Sequence, residues 1–343
     1  MKHETLQAKL DALPRVRLAH LPTPLEPCPR LSAALAGPGG GPQIWVKRDD
    51  LTGLAFGGNK TRQLEFVFAE LLARGADTLV IGAYTQSNWC RQATAAAMKL
   101  GLDVALVLLH GEKGPRLQGN LLLDRLMGAD VTVVDLDSME KLQPHLDAKA
   151  DSLSAAGRKP YVVAPLGVES LSLGALGYVG AALEMDAQCT AAGLDPAHLY
   201  LCGANMTPAG LALGFEALGR RVHIRNVAPI RWTMPRDEDI ARIAEATARR
   251  LDLDVRIDKS VIDNTDAFIG ERYGVVTEEG LEALKLAART EALILDPVYS
   301  SKAMAALVAD VRDGKITADE PVVFLHTGGN PALFAYAEDL DLE

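Results

Sequence analysis

The sequence predicts an α/β protein built on parallel sheets. Nine short apolar segments rich in Val, Ile and Leu recur along the 343 residues, and amphipathic helical stretches separate them. Repeated β–α alternation calls for parallel strands joined by right-handed crossovers. The chain is also longer than one hydrophobic core usually supports, so two domains are expected. The pattern accommodates either two open parallel sheets or a single TIM barrel. The long N-terminal lead-in fits two open sheets slightly better.

Taken in order, the strand segments are IWVKR (44–48), TLVIGAY (78–84), DVALVLL (103–109), DVTVVD (130–135) and YVVAPLG (161–167). HLYLCG (198–203), VHIRNVAPI (222–230), LILDP (293–297) and PVVFLHTGG (321–329) complete the set. A helix is predicted over 60–74, with Leu64, Val67, Phe68, Leu71 and Leu72 on one face and Gly75 as its stop. Others are predicted over 91–100, closed by Gly101, and over 208–218. The Gly/Pro stretch AGPGGGP (36–42) reads as a loop, and no internal repeat is visible.

Composition excludes several classes. The chain is 48% hydrophobic and 23% charged, as in an ordinary globular enzyme. A net charge of -10 argues against nucleic-acid binding, which needs clustered Lys and Arg. Cys28, Cys90, Cys189 and Cys202 are scattered, with no CxxC pair and no His at metal spacing; they read as reduced thiols, and no metal is expected. The polar N-terminus does not resemble a signal peptide, and no apolar run approaches the ~20 residues of a membrane span. A cytoplasmic protein with no membrane partner is expected. GxGxxG after a strand, GxxxxGK[ST] and GxSxG are all missing, which argues against dinucleotide dehydrogenases, P-loop NTPases and α/β-hydrolases.

Five polar turns carry possible chemistry. In LTGLAFGGNKTRQLEF (51–66), Gly57 and Gly58 permit unusual backbone, Asn59 is a suitable N-cap, and Lys60 falls on the first helical turn. The positive end of a helix disfavours a cation, which would lower the amine's pKa and make it nucleophilic. Read alone, the same lysine fits a solvent-exposed surface position in a glycine turn better. In GAYTQSNWCRQATAAAMKLG (82–101) a strand runs through Thr85, Gln86, Ser87 and Asn88 into a helix, a turn suited to a carboxylate. In LCGANMTPAGLALG (201–214), Thr207 as N-cap and Pro208 at the first helical position predict a phosphate cup. LDPVYSSKAM (295–304) and FLHTGGNPALFAY (324–336) place Tyr299, Ser300 and Thr327 beyond strand ends, where open α/β sheets bind ligands.

At these residues the chain resembles a known family. KRDDLTGLAFGGNKTRQLEF (47–66) is similar to the cofactor-lysine segment of the D-cysteine desulfhydrase and 1-aminocyclopropane-1-carboxylate (ACC) deaminase family. LPTPLE (21–26), QSN..RQ (86–92), LDPVY (295–299) and HTGG.PALFAY (326–336) match it in the same order. The resemblance implies the tryptophan-synthase-β-like fold, fold type II of pyridoxal 5'-phosphate (PLP) enzymes, with two open parallel-sheet α/β domains. It places a small domain at 59–170 inserted in a large one, 1–58 and 171–343. It implies that Lys60 carries PLP as a Schiff base and that Asn59 hydrogen-bonds its phenolic oxygen. Gln86, Ser87 and Asn88 would hold the substrate carboxylate beside Trp89, with Ser87 near the reacting carbon. Gly203, Ala204, Asn205, Met206 and Thr207 would hold the phosphate. Tyr299 would face the substrate, and Thr327 or Ser300 would meet the pyridine nitrogen.

The chain departs from the family pattern at Trp89, Cys90, Met206 and Asn330. Where ACC deaminases carry Glu and Leu, it has Ser300 and Thr327. These two residues favour the desulfhydrase and L-cysteate sulfo-lyase side. The expected function is therefore β-elimination from a small amino acid, with Lys60, Ser87 and Tyr299 as catalytic groups, giving a 2-oxo acid and ammonia. L-cysteate sulfo-lyase, ACC deaminase or racemase activity, and PLP binding without turnover, are the alternatives. A homodimer is expected.

Overall fold

The structure, a computed structural model, describes residues 1–342. Helix α1 (His3–Asp11), strand β1 (Leu25–Pro27), α2 (Pro29–Leu35) and β2 (Ile44–Lys47) lead into α3 (Lys60–Ala73). Next come β3 (Thr78–Tyr84), α4 (Asn88–Leu100), β4 (Asp103–Leu109), α5 (Gly119–Leu126), β5 (Asp130–Val134), α6 (Gln143–Ala155) and β6 (Pro160–Val162). Then follow α7 (Val168–Ala192), β7 (His198–Cys202), α8 (Met206–Leu218), β8 (His223–Val227), α9 (Arg236–Arg250) and β9 (Ile262–Thr265). The chain closes with α10 (Glu278–Glu291), α11 (Ser300–Arg312), β10 (Val322–Leu325) and α12 (Asn330–Leu333).

The strands form two open sheets, so the barrel is excluded. One has the order β1-β2-β10-β7-β8-β9 and the other β5-β4-β3-β6. The four-stranded sheet is parallel throughout. The six-stranded sheet departs from the all-parallel expectation at β1, which pairs antiparallel with β2. That strand is three residues long and ends in Pro27, which an edge tolerates because its outer side needs no N–H donor.

Most core segments are apolar on both faces because helices cover both sides of each sheet. One core runs from Leu79, Ile81 and Leu106 of the smaller sheet, through Leu64, Phe68, Leu176, Val179 and Leu211, to Leu201 and Val323 of the larger. A second fills the other face of the large sheet, where Val46, Tyr200 and Phe324 meet Leu284, Met304 and Leu307. Val80, Val107 and Leu109 pack on Leu142 and Leu146 over the outer face of the small sheet.

Several boundaries move. LILDP (293–297) is not a strand: Asp296 turns the chain by accepting N–H bonds from Val298, Tyr299 and Ser300, each at 2.9 Å. YVVAPLG shortens to β6, and the helix expected from residue 91 begins at Asn88. The polar strand β9 had no apolar signal. Thr207 is not the N-cap expected of α8. Asn205 takes that position, and its side chain accepts the Met206 N–H at 2.7 Å.

A buried ionic cluster ties the start of α3 to its surroundings. Arg62, 1% exposed, donates to Asp49 and to Glu184 at 2.8–3.0 Å. Lys47 also pairs with Glu184, and the Tyr178 hydroxyl donates to Asp49 at 2.6 Å. Burial opposes ionisation of both carboxyls, but the Arg62 guanidinium outweighs it and holds them below their usual range. Lys60 stands two residues before this anchor.

Candidate active site

A cleft of about 970 Å³, open solvent at its mouth included, lies between the two sheets. Its walls come from the carboxyl ends of β3, β7 and β8 and from Thr327 beyond β10. This is the end at which open α/β sheets bind ligands.

Lys60 opens α3 and lines the cleft. It is the only charged side chain among the described lining residues. Burial, the largest cause, pushes its amine down to about 8, against a smaller opposing influence from Cys202. Removal from water disfavours the charged ammonium, which is the direction the sequence expected for this amine. An amine with that pKa and no counter-ion is suited to attack an aldehyde.

The loop 203–207 connects β7 to α8. The N–H groups of Ala204, Asn205 and Thr207 meet no acceptor among the described residues, while the Gly203 N–H is taken by Val227. Thr207 itself does not line the cleft. Its hydroxyl oxygen accepts from Asn59 at 2.9 Å and from Gln63 at 2.8 Å, which leaves its own proton to donate. Free N–H groups at the start of a 13-residue helix, with a spare hydroxyl proton beside them, make an anion cradle. This donor set, with Lys60 on the same cleft, fits a phosphorylated aldehyde such as PLP.

A second helix N-terminus faces the cleft at α4. Ser87 caps it by accepting the Cys90 N–H at 3.3 Å, and Ser87, Asn88 and Trp89 all line the wall. Asn88 is held by Asn120, whose amide donates to its carbonyl oxygen at 2.9 Å. Gln86 does not line the cleft; it braces the 118–120 turn by accepting the Asn120 N–H at 2.9 Å and donating to the Gln118 carbonyl at 3.1 Å.

Across the cleft stands Tyr299, whose hydroxyl meets that of Tyr273 at 2.5 Å. Tyr273 in turn stacks on Tyr84, ring centroids 4.1 Å apart. Burial raises both Tyr273 and Tyr299 well above the usual phenol range, so both stay protonated. Thr327 lines the cleft but Ser300 does not: its hydroxyl is bound to Asp296 at 2.6 Å.

The cleft thus brings together Lys60, Asn59, Ser87, Asn88, Trp89, Gly203, Ala204, Asn205, Met206, Tyr299 and Thr327, and leaves Gln86, Thr207 and Ser300 behind its wall. Sequence reading missed Tyr273, Trp232, Ile230 and Met139, which also line it. Three of the four sit in loops or turns without hydrophobic periodicity. Tyr84 and Cys202, also missed, end their strands directly before polar turns, a position that can be read as cleft-facing. Among the described residues no cluster of metal-ligating side chains exists and no helix is long and apolar enough to cross a membrane.

Fold and site define an α/β protein whose cleft, at the carboxyl ends of its parallel strands, holds one lysine beside a loop of free N–H groups. The profile of pyridoxal-phosphate dependent enzymes matches residues 16–328, and the chain belongs to that family. A D-cysteine desulfhydrase of Klebsiella pneumoniae (strain 342) is 40% identical over 331 residues, covering 95% of this chain and 97% of that one. A crystal structure of an ACC deaminase homologue superposes with a TM-score of 0.88 at 32% identity, covering 99% of both chains. The processed form of threonine deaminase isoform 2 from Solanum lycopersicum shares the fold, with a TM-score of 0.66 at 17% identity over 99% of this chain and 92% of that one. PLP is the cofactor, and the fold is that of fold-type II PLP enzymes.

Proposed function

We propose that the chain cleaves the carbon–sulfur bond of a small amino acid by PLP-dependent β-elimination, with D-cysteine as the substrate. The observation that carries this reading is a lone lysine, without counter-ion, in a cleft that also presents two helix N-termini and a protonated tyrosine pair. The 40% identity to a D-cysteine desulfhydrase across nearly the whole chain supports it.

PLP, when bound, supplies the electron sink that makes the substrate α-hydrogen acidic. Lys60 would be its covalent anchor and, as a free amine, the base that takes the substrate α-proton. The free N–H groups of Ala204 and Asn205 would hold the phosphate, with Thr207 supporting the loop from behind the cleft wall through Asn59 and Gln63; Gly203 and Met206 shape the loop around it. Asn59, which spends one amide N–H on Thr207, keeps the other to donate to the cofactor's phenolic oxygen. Thr327 alone takes the ring nitrogen, since Ser300 is committed to Asp296. A neutral hydroxyl at that position would give the ring nitrogen no counter-charge, so the bound cofactor would supply a moderate electron sink, suited to elimination. The Ser87 hydroxyl and the N-terminus of α4, at Asn88 and Trp89, hold the substrate carboxylate, with Gln86 bracing them from behind. Tyr299, protonated and shared with Tyr273, donates to the departing sulfur. The products are sulfide and 2-aminoacrylate, which takes up water to give pyruvate and ammonia.

The ACC deaminase homologue favours a second reading, cyclopropane ring opening. Assaying D-cysteine, L-cysteine, L-cysteate and ACC side by side separates the two. Pyruvate with sulfide from D-cysteine is expected; efficient 2-oxobutyrate release from ACC would overturn the assignment.

The same proposal includes a small domain at 59–170 inserted between 1–58 and 171–343, with Lys60 at the first crossing. All strands of the four-stranded sheet fall inside 59–170. A cytoplasmic location accords with four buried, unpaired cysteines. Homodimerisation is supported by Phe56, Leu117, Leu126 and Phe334, which are 62–77% exposed. Leu117 and Phe334 lie on segments that meet where Gly119 approaches Pro331 and Ala335.

A further inference from the structure

Lys302 is a buried cation that the proposed reaction does not use. It lies in the first turn of α11, three residues after Tyr299, and is 1% exposed. Its ammonium donates to the carbonyls of Ile269 at 2.6 Å, Val275 at 2.8 Å and Phe268 at 3.3 Å. Three N–H donors meet three backbone carbonyls, so the group is satisfied without a carboxylate. A buried ammonium is costly to maintain, and three converging carbonyls are the arrangement that offsets it.

All three carbonyls belong to the loop between β9 and α10. That loop has little regular hydrogen bonding: one turn closes from Ile269 N–H to Asp266 and another from Val275 N–H to Arg272. Gly270 and Gly274 both have positive φ, 84° and 86°. Backbone of this kind needs an external tie to hold one conformation. The Lys302 ammonium binds the loop on both sides of Tyr273, at 268–269 and at 275. Tyr273 is the partner of Tyr299, and the Lys302 N–H also bonds the Tyr299 carbonyl at 3.1 Å.

We propose that Lys302 is a positioning residue: by gathering the carbonyls of residues 268, 269 and 275 onto one cation, it holds the Tyr273 hydroxyl against Tyr299. The inference rests on the role given above to Tyr299 at the leaving group. It makes the orientation of the tyrosine pair depend on a charge outside the cleft.

The test is a double-mutant cycle between Lys302→Met and Tyr273→Phe in the PLP-loaded enzyme, with amide hydrogen exchange over 266–276. Each single variant is expected to lower kcat roughly tenfold to a hundredfold while KM changes little, the scale of a misplaced catalytic group. If Lys302 acts through Tyr273, the double variant is no slower than the worse single, within about twofold. Exchange over 266–276 should rise in Lys302→Met and stay near the parent's in Tyr273→Phe. Full activity in Lys302→Met, losses that multiply in the double variant, or unchanged exchange overturns the proposal. Lys302→Gln, which keeps a donor, carries the same comparison should the methionine variant fail to fold. Exchange reads the loop with or without a known substrate, so a wrong substrate and a wrong role for Lys302 remain distinguishable.

Discussion

Burial leaves the Lys60 amine at about 8, and this has a kinetic consequence. Only the neutral amine attacks the cofactor aldehyde. The folded pKa lies below the ordinary lysine value, so the neutral fraction grows as pH rises toward 8 and saturates above it. Covalent incorporation of PLP into cofactor-free protein should therefore accelerate about tenfold per pH unit below 8 and level off above it. Stopped-flow absorbance between pH 6 and 10 measures this (pH range set at about two units either side); a rate still climbing tenfold per unit at the top of the range contradicts the assignment. A second expectation concerns Thr207, whose proton is free because its oxygen accepts twice. Thr207→Ala should weaken PLP binding by about 1 kcal/mol, the scale of the lost support to Asn59 and Gln63 at the cradle, measured by equilibrium dialysis. Lys60 and Asn59, which line the cleft, were singled out by the resemblance of GGNKTR to a cofactor-lysine segment, since the local pattern alone fits a surface lysine in a glycine turn. Tyr273 was not legible. Nothing in ERYGV marks a tyrosine that closes on another 26 residues away.

At the scale of elements, α8 carries the proposed phosphate cradle, and its position depends on close packing against α7. A Cβ at Gly210 would strike the Ala175 carbonyl and come within 2.6 Å of Tyr178 Cβ. Gly210→Ala should thus push α8 outward, lowering stability by about 1–3 kcal/mol and PLP affinity with it. Calorimetry and a PLP titration test this together; a destabilised variant with the parent's PLP affinity would separate the packing from the cradle. Apolar strands such as TLVIGAY and DVALVLL were legible to the residue, because helices on both faces demand continuous Val, Ile and Leu. The 25-residue α7 escaped notice: its first half is buried all round over 171–179, so no polar face marks its period there, and its glycines lower its helix propensity. LILDP carries the composition of a strand, but Asp296 spends its carboxylate on three backbone N–H groups and forms a turn.

In the whole molecule, the Asp49–Arg62–Glu184–Lys47 cluster joins β2, α3 and α7 in one buried network. Arg62→Met would leave two carboxyls without their main counter-ion. It should destabilise the fold by about 3–5 kcal/mol, read by denaturant unfolding. The sign of the pH effect follows from the depressed carboxyls. They contribute stability above the ordinary carboxylate pKa and lose it as pH falls through their lowered values. Without Arg62 those values rise, so acid unfolding should begin at a higher pH in the variant. Assembly is testable at the same scale: Phe334→Asp should convert the proposed dimer to monomers in light scattering, because a charge replaces a phenylalanine that is 73% exposed.

The strand order of the larger sheet bears on how the protein is made. β10 sits between β2 and β7, so residues 322–325 are inserted between partners synthesised long before. A ribosome that has emitted the chain only to residue 310 has released every strand of the small sheet and every strand of the large sheet but one. The large sheet then has an open slot along β2 and β7, two unpaired strand edges, and no Thr327. Nascent chains stalled there should show a protease-resistant fragment spanning the small sheet and a protease-sensitive remainder. Completion of the last strand is then the event that closes the large sheet and assembles the cleft.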